Sequence, residues 1–246
     1  MEYHIIIPAR FESTRLPGKP LLDIAGKPMI QHVYERAMEA GAASVTVATD
    51  NLHVEETVRE FGGNAVLTND RHLSGTDRVA EAAQIIGLSD NELVVNLQGD
   101  EPLMPPSLIS SVAEALHTDK QADVATASVQ IHEAAQLADP HVVKVVVDRF
   151  AHALYFSRAA IPYLRDADSA IEHRVYRHIG LYAYRCGYLA EFTQLEPCTL
   201  EHVEALEQLR VLWHGGKIRV LQTEDEPGHG VDTPQDLQRV RLLFKE

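Results

Sequence analysis

Tyr3-His4-Ile5-Ile6-Ile7-Pro8-Ala9-Arg10 and Glu92-Leu93-Val94-Val95-Asn96-Leu97-Gln98-Gly99-Asp100 decide the fold class of this chain. Each is a short apolar run that ends in polar or charged residues. Such runs suit strands buried on both faces. Helical and strand-like stretches alternate between them. Pro28 to Ala40 predicts an amphipathic helix with Met29, Ile30, Val33, Tyr34, Ala37 and Met38 on one stripe, ended by Gly41. Ser44 to Thr49 and Asn64 to Thr68 read as strands, and Asn51 to Phe61 and Thr76 to Ile86 as helices. Pro105-Pro106-Ser107 opens another helix that ends near His117. This alternation predicts an α/β fold with a mostly parallel central sheet flanked by helices.

The rhythm then changes. Val124 to Ile131, Val142 to Val147, Ala153 to Ser157 and Ile179 to Tyr184 are strand-like without regular helices between them, which predicts a smaller mixed-sheet subregion. Thr199 to Trp213 reads as one helix, Ile218 to Thr223 as a strand and Pro234 to Phe244 as a last helix. No linker, internal repeat or low-complexity tract divides the chain. We therefore expect a single domain over 1–246. Its parts are about 1–123, about 124–230 as the substrate-side subregion, and 231–246 as a helix returning to the core.

Composition narrows the partners. The 246 residues are 45% hydrophobic and 24% charged, as in an ordinary globular protein. With 22 basic and 36 acidic side chains the formal net charge is -14, a field that repels nucleic acid and anionic membrane surfaces. A small anion can still bind where basic residues are concentrated. Cys186 and Cys198 have no zinc-ligand spacing and read as free thiols. Met1-Glu2-Tyr3-His4 runs straight into a strand, without a signal-peptide or membrane-span pattern, so the protein reads as cytoplasmic.

Ligands of open α/β sheets bind at the carboxyl ends of the strands. Three segments there carry chemistry. Pro8 to Pro20 holds Arg10, Arg15 and Lys19 beside Ser13, Thr14 and Gly18, and reads either as a polyphosphate trap or as a solvated loop. It is neither a Walker A loop nor a GxGxxG turn. Gln98-Gly99-Asp100 puts a carboxylate just past a buried strand. It suits Mg²⁺, which takes one or two carboxylates plus substrate phosphates, and equally suits a tight turn. Thr233-Pro234-Gln235-Asp236 is a helix start in which Thr233 and Asp236 cap. Asp232 precedes the cap, as a second metal carboxylate or as an ordinary acidic loop residue.

These segments together resemble the 3-deoxy-manno-octulosonate cytidylyltransferases, the CMP-Kdo synthetases. The resemblance runs through Ile6-Ile7-Pro8-Ala9-Arg10, Ser13-Thr14-Arg15-Leu16-Pro17-Gly18-Lys19-Pro20-Leu21, Gly26-Lys27-Pro28-Met29-Ile30 and Val47-Ala48-Thr49-Asp50. It continues through Ser74-Gly75-Thr76-Asp77-Arg78, Asn96-Leu97-Gln98-Gly99-Asp100-Glu101-Pro102 and Ala153-Leu154-Tyr155-Phe156-Ser157-Arg158. Arg177-His178-Ile179-Gly180-Leu181-Tyr182, Glu207-Gln208-Leu209-Arg210 and Gly230-Val231-Asp232-Thr233-Pro234 complete it in the family's order. Asp77, Gln235 and Glu12 depart from the usual pattern, and Tyr163 to Tyr176 matches poorly.

The resemblance implies a Rossmann-like, GT-A-like nucleotidyltransferase, usually a homodimer, that uses CTP, Kdo (3-deoxy-D-manno-octulosonate) and Mg²⁺, with about 1–123 as its nucleotide-binding part and about 124–230 as its sugar-binding and dimerisation part. It gives Arg10, Arg15 and Lys19 to the triphosphate, and Ser74, Arg78 and Gln98 to the nucleotide. Asp100 and Asp232 match the metal carboxylates and, with Lys19 and Arg10, the catalytic set. Arg158, His178, Tyr182, Glu207 and Gln208 fall in sugar-binding segments. Local readings compete. Ser74 to Asp77 also scans as a capping box, His178 and Tyr182 as a core face, and Glu207 and Gln208 as a solvated helix face opposite Leu206, Leu209 and Trp213. The rival functions are a cytidylyltransferase for sialic acid or an amino-Kdo analogue, a glycosyltransferase using Asp166-Ala-Asp168 as a metal motif, and a nucleotide-binding regulator.

Overall fold

The computed structural model describes residues 1–13, 15–165, 175–228 and 230–244. Thr14 and the Asp166-Ala-Asp168 motif lie outside the described residues. The chain forms two compact units. One comprises Met1–Ser110, Arg185–Thr193 and Pro227–Glu246, the other Ser111–Tyr184 and Gln194–Glu226.

In chain order the first unit begins with β1 (His4–Ala9), β2 (Asp23–Ile24), β3 (Lys27–Pro28), α1 (Met29–Glu39), β4 (Ser44–Thr49) and α2 (Leu52–Glu60). β5 (Ala65–Leu67), α3 (Gly75–Ile85) and β6 (Leu93–Asn96) follow, and α4 (Pro106–Thr118) crosses into the second unit. That unit holds β7 (Val124–Gln130), α5 (Ala134–Ala138), β8 (Lys144–Val147), β9 (Ala153–Ser157) and β10 (Tyr176–Arg185). α6 (Cys186–Phe192) belongs to the first unit, α7 (Thr199–Glu204), α8 (Leu209–Trp213) and β11 (Ile218–Thr223) to the second, and α9 (Pro234–Leu243) to the first. No described helix is long and apolar enough to cross a membrane.

The main strands of the first unit lie in the order β6-β1-β4-β5, all parallel, and β2 and β3 form a separate antiparallel pair. Every residue of β1 and β6 is buried, which is why their sequences are unbroken apolar runs. Successive strands run outward from β1 to β5, then the chain returns to pair β6 on β1's other edge. The loops after β1 and β6 therefore diverge, and such a switch point leaves a crevice at the carboxyl ends. Caps set the helices around it. Asn51 accepts from His53 and Val54 N–H, Ser74 accepts from Asp77 N–H, and Thr233 and Asp236 cap α9 reciprocally. Leu16, Ile24, Met29, Val231, Leu237 and Val240 form one core cluster that roots the first loop and the approach to α9 in the same apolar mass.

The second unit is a mixed sheet. β7 pairs antiparallel with β10 and parallel with β11, and β8 pairs antiparallel with β10 and β9. Several expectations need correction. Met38 and Trp213 are exposed, at 56% each. In α1 the buried stripe takes His32 instead, whose Nε2 lies 2.7 Å from Ile24 O while its ring packs on Phe244. Thr199 to Trp213 is not one helix. Ala205 adopts φ 50, ψ 51 and splits it, so Glu207 and Gln208 stand between α7 and α8. The helix-forming sequence loses there to tertiary bonds, because Arg158 takes the Glu204 and Ala205 carbonyls.

Candidate active site

Loops after β1 and β6, the start of α3 and the approach to α9 line one cavity of about 310 Å³. Arg10, Arg15, Lys19, Ser74, Arg78, Gln98, Asp100 and Asp232 all reach it. At its charged end Lys19 Nζ lies 2.6 Å from Asp100 Oδ2 and 3.0 Å from Asp232 Oδ1. Arg15 Nη2 lies 3.2 Å from the same Asp232 oxygen. The backbone sets up this meeting, because Val231 N–H donates to Asp100 O at 2.9 Å. Two glycines allow the approach. A Cβ on Gly99 would fall 2.8 Å from Pro8 O, and one on Gly230 would fall 2.8 Å from Glu101 Oε1. Glu12 is exposed on the same loop.

The other end is nearly neutral. Gln98 Nε2 donates to Asn96 Oδ1 at 2.9 Å, and Gly75 lies beside the Gln98 amide. Arg78 is buried and spends its charge internally. It donates to Thr68 Oγ1 at 2.6 Å and Asp50 Oδ2 at 2.7 Å, while Asp50 Oδ1 accepts from Phe11 N–H at 3.2 Å. Asp50 thus ties Arg78 to the root of the cationic loop. Ser74 serves as the cap of α3, so its hydroxyl is already an acceptor.

The remaining predicted residues lie in the second unit. Arg158 donates from its side chain to the carbonyls of Glu204, Pro140 and Ala205 at 2.7, 3.0 and 3.4 Å. Glu204 accepts from Ser157 Oγ at 2.6 Å and Arg158 N–H at 2.9 Å. Burial raises the Glu204 pKa, but these bonds outweigh it and hold the group below the ordinary carboxylate value. His178 and Tyr182 pack ring on ring at 5.4 Å, with Phe156 against His178 at 4.9 Å. Burial, with the Arg177 cation, pushes His178 down from 6.5 to about 3, and burial raises Tyr182 well above 10.0. Thr126 Oγ1 lies 2.9 Å from His178 Nε2 and also reaches the Ile179 and Leu181 carbonyls. A hydroxyl has one proton and carbonyls only accept, so His178 donates from Nε2–H as a neutral ring. Gln208 is buried rather than on a solvated face.

A pH dependence follows. The folded-state pKa of His178 lies below its unfolded value of 6.5, so the unfolded chain binds more protons between 6.5 and about 3. His178 therefore contributes a loss of stability as pH falls through that window. Denaturation midpoints measured at pH 7 and pH 5 should fall less in His178→Gln than in the parent chain. An equal fall in both would remove His178 as a source.

The family model described as Cytidylyltransferase matches residues 4–218. A 3-deoxy-manno-octulosonate cytidylyltransferase from Idiomarina loihiensis is 50% identical over 99% of this chain and 98% of its own length. Those of Vibrio vulnificus strain CMCP6 and Coxiella burnetii are 51% and 50% identical over 99% of this chain and 98% and 100% of theirs. The chain belongs to the 3-deoxy-manno-octulosonate cytidylyltransferase family. A solved CMP:2-keto-3-deoxy-manno-octonic acid synthetase complexed with CTP superposes with a TM-score of 0.93, at 47% identity over 100% of this chain and 99% of that one. A cytidylyltransferase from Leptospira borgpetersenii, 16% identical, shares the fold alone, with a TM-score of 0.65 over 100% of this chain and 87% of that one.

In this cytidylyltransferase Asp50 and Asn96 lie in the matching motifs without an expected role there, and Lys144 and Glu204 lie outside those motifs. Asp50 had a usable signal, since it follows a buried strand just as Gln98 and Asp100 do. Lys144 had none, because it interrupts an apolar run and looks like a surface residue on a strand.

Proposed function

We propose that this chain transfers CMP from CTP to Kdo, releasing pyrophosphate. We further propose that it does so with Mg²⁺, as a homodimer in the cytoplasm, activating Kdo for lipopolysaccharide synthesis. One observation carries the reading. Three cations of one loop and two carboxylates from distant segments line a single cavity, in a chain 50–51% identical to proteins named for that reaction.

Each residue's part follows from its chemistry. Arg10, Arg15 and Lys19 accept the triphosphate, with forked and point charges matched to phosphate oxygens. The neutral end, with Gln98, Ser74 and Gly75, takes the nucleoside. Asp100 and Asp232 fit Mg²⁺, since they already share one cation and the ion completes its shell with substrate phosphates. Bound there, Mg²⁺ would supply Lewis-acid stabilisation of the phosphoryl charge. Neutral His178 and Tyr182, with Glu207 and Gln208, suit a polyhydroxy sugar, and Arg158 suits its carboxylate. The anomeric hydroxyl oxygen attacks the α-phosphorus in line, its proton passes to water, the bond from that phosphorus to pyrophosphate breaks, and positioning lowers much of the barrier.

The test is pyrophosphate release with Mg²⁺ across four nucleotides and a panel of acidic sugars. CTP with Kdo should turn over well above ATP, GTP or UTP, and above sialic acid or an amino-Kdo analogue. Equal turnover with ATP would sink the cytidylyl assignment, and preference for another sugar would sink Kdo.

A further inference from the structure

We propose that Lys19 keeps Asp100 and Asp232 closed to divalent cations until a triphosphate draws its ammonium away, so that nucleotide and metal load together. This inference rests on the reading of those two carboxylates as the Mg²⁺ ligands. The Lys19 ammonium bridges both carboxylates, 2.6 Å from Asp100 and 3.0 Å from Asp232. The Lys19 side chain is 13% exposed and that of Asp100 32%, so their contact is enclosed, while Asp232 meets the ammonium from the open side at 54%.

Charge decides how this arrangement treats a metal. Lys19 and Arg15 carry two positive charges, and Asp100 and Asp232 carry two negative ones. The cluster is thus locally neutral, and a lone divalent cation gains little by entering it. It would also sit beside an ammonium at contact distance, a like-charge approach that Coulomb's law penalises. A triphosphate changes both terms, because its oxygens accept from Lys19 and Arg15 and leave the carboxylates unpaired.

The chain is built for that exchange. Lys19 projects from a short turn that begins at Gly18 in the left-handed region, φ 66, and is rooted by buried Leu16 and Pro20. The backbone is anchored, and a lysine's flexible four-carbon stem lets the ammonium change partners without it. Asp100 and Asp232 keep their spacing without Lys19, because the Val231 N–H to Asp100 O bond joins their backbones. Coupling between two ligands is reciprocal, so Lys19 makes each the condition for tight binding of the other.

The experiment measures Mn²⁺ binding to the full chain by the EPR signal of the free ion, with and without CTP and always without Kdo. Lys19→Met and Lys19→Gln should bind Mn²⁺ without nucleotide roughly 5- to 150-fold more tightly than the parent, the range of ordinary coupling energies. Both should lose CTP turnover, so metal affinity and activity move in opposite directions. A variant that melts low but is restored by Mn²⁺ gives the same result. Nucleotide-free affinity that is unchanged or weaker in both variants overturns the proposal, as does a variant that Mn²⁺ neither binds nor restores. Asp100→Asn separates the two levels. If it leaves Mn²⁺ binding with CTP intact, the metal assignment itself fails. If it abolishes binding while the Lys19 variants match the parent, only the closing role of Lys19 fails.

Discussion

Asp232→Asn should cut turnover by roughly 10²-fold or more, the scale lost when a preorganised electrostatic partner is removed. Folding should survive. Asp232 is largely exposed, and exposed ion pairs contribute only about 0–1 kcal/mol. The α9 cap uses Thr233 and Asp236, and the Val231 to Asp100 bond is backbone to backbone, so neither needs the Asp232 carboxylate. Asparagine keeps the shape and removes one negative ligand. Asp100→Asn should behave alike and also weaken Mg²⁺-dependent CTP binding. The double variant should lose less than the product of the single losses, because groups acting as a unit are not additive. Steady-state kinetics with a thermal melt on each variant checks this. A complex with CTP, Kdo and Mg²⁺ that put Asp232 outside coordination range would refute the shared site, whatever the kinetics.

What the sequence disclosed here follows from the range of each interaction. β1 and β6 were legible because burial on both faces leaves an unbroken apolar run, a purely local signature. The cap of α9 was legible because Thr233 and Asp236 are near neighbours. Asp100 and Asp232 could be marked one at a time, from a strand end and a pre-cap position. Their meeting through Lys19 and the Val231 bond could not, since it depends on three distant segments converging. Arg78 shows the same limit. Its charge looked available to a nucleotide, yet Asp50 neutralises it from the end of another strand. The break at Ala205 was hidden because its cause is Arg158, far off in sequence, taking carbonyls that a continuous helix would keep.

Lys144 gives the clearest case of such a hidden cause and the second large effect. It is fully buried, and its ammonium donates to the carbonyls of Asp139, Val142 and Arg158 at 2.9, 2.7 and 2.5 Å. Burial lowers its pKa below 10.5, which is the direction expected for a charge shielded from water. Those three bonds tie the turn before β8 to the end of β9, where Arg158 in turn holds Pro140 and the α7–α8 break. Lys144→Met keeps the apolar stem and strips the donors. Three part-buried acceptors lose their donor, at about 1–3 kcal/mol for each that stays shut off from water, so the loss should reach roughly 3 kcal/mol. For a chain of this size that lowers the melting temperature by roughly 6–12 °C. The segment bearing Arg158, Glu207 and Gln208 should loosen with it, so the Michaelis constant for Kdo should rise while that for CTP holds. A melt indistinguishable from the parent would show that water replaces the lysine. A matched rise in both Michaelis constants would show that Lys144 supports the fold without positioning the sugar residues.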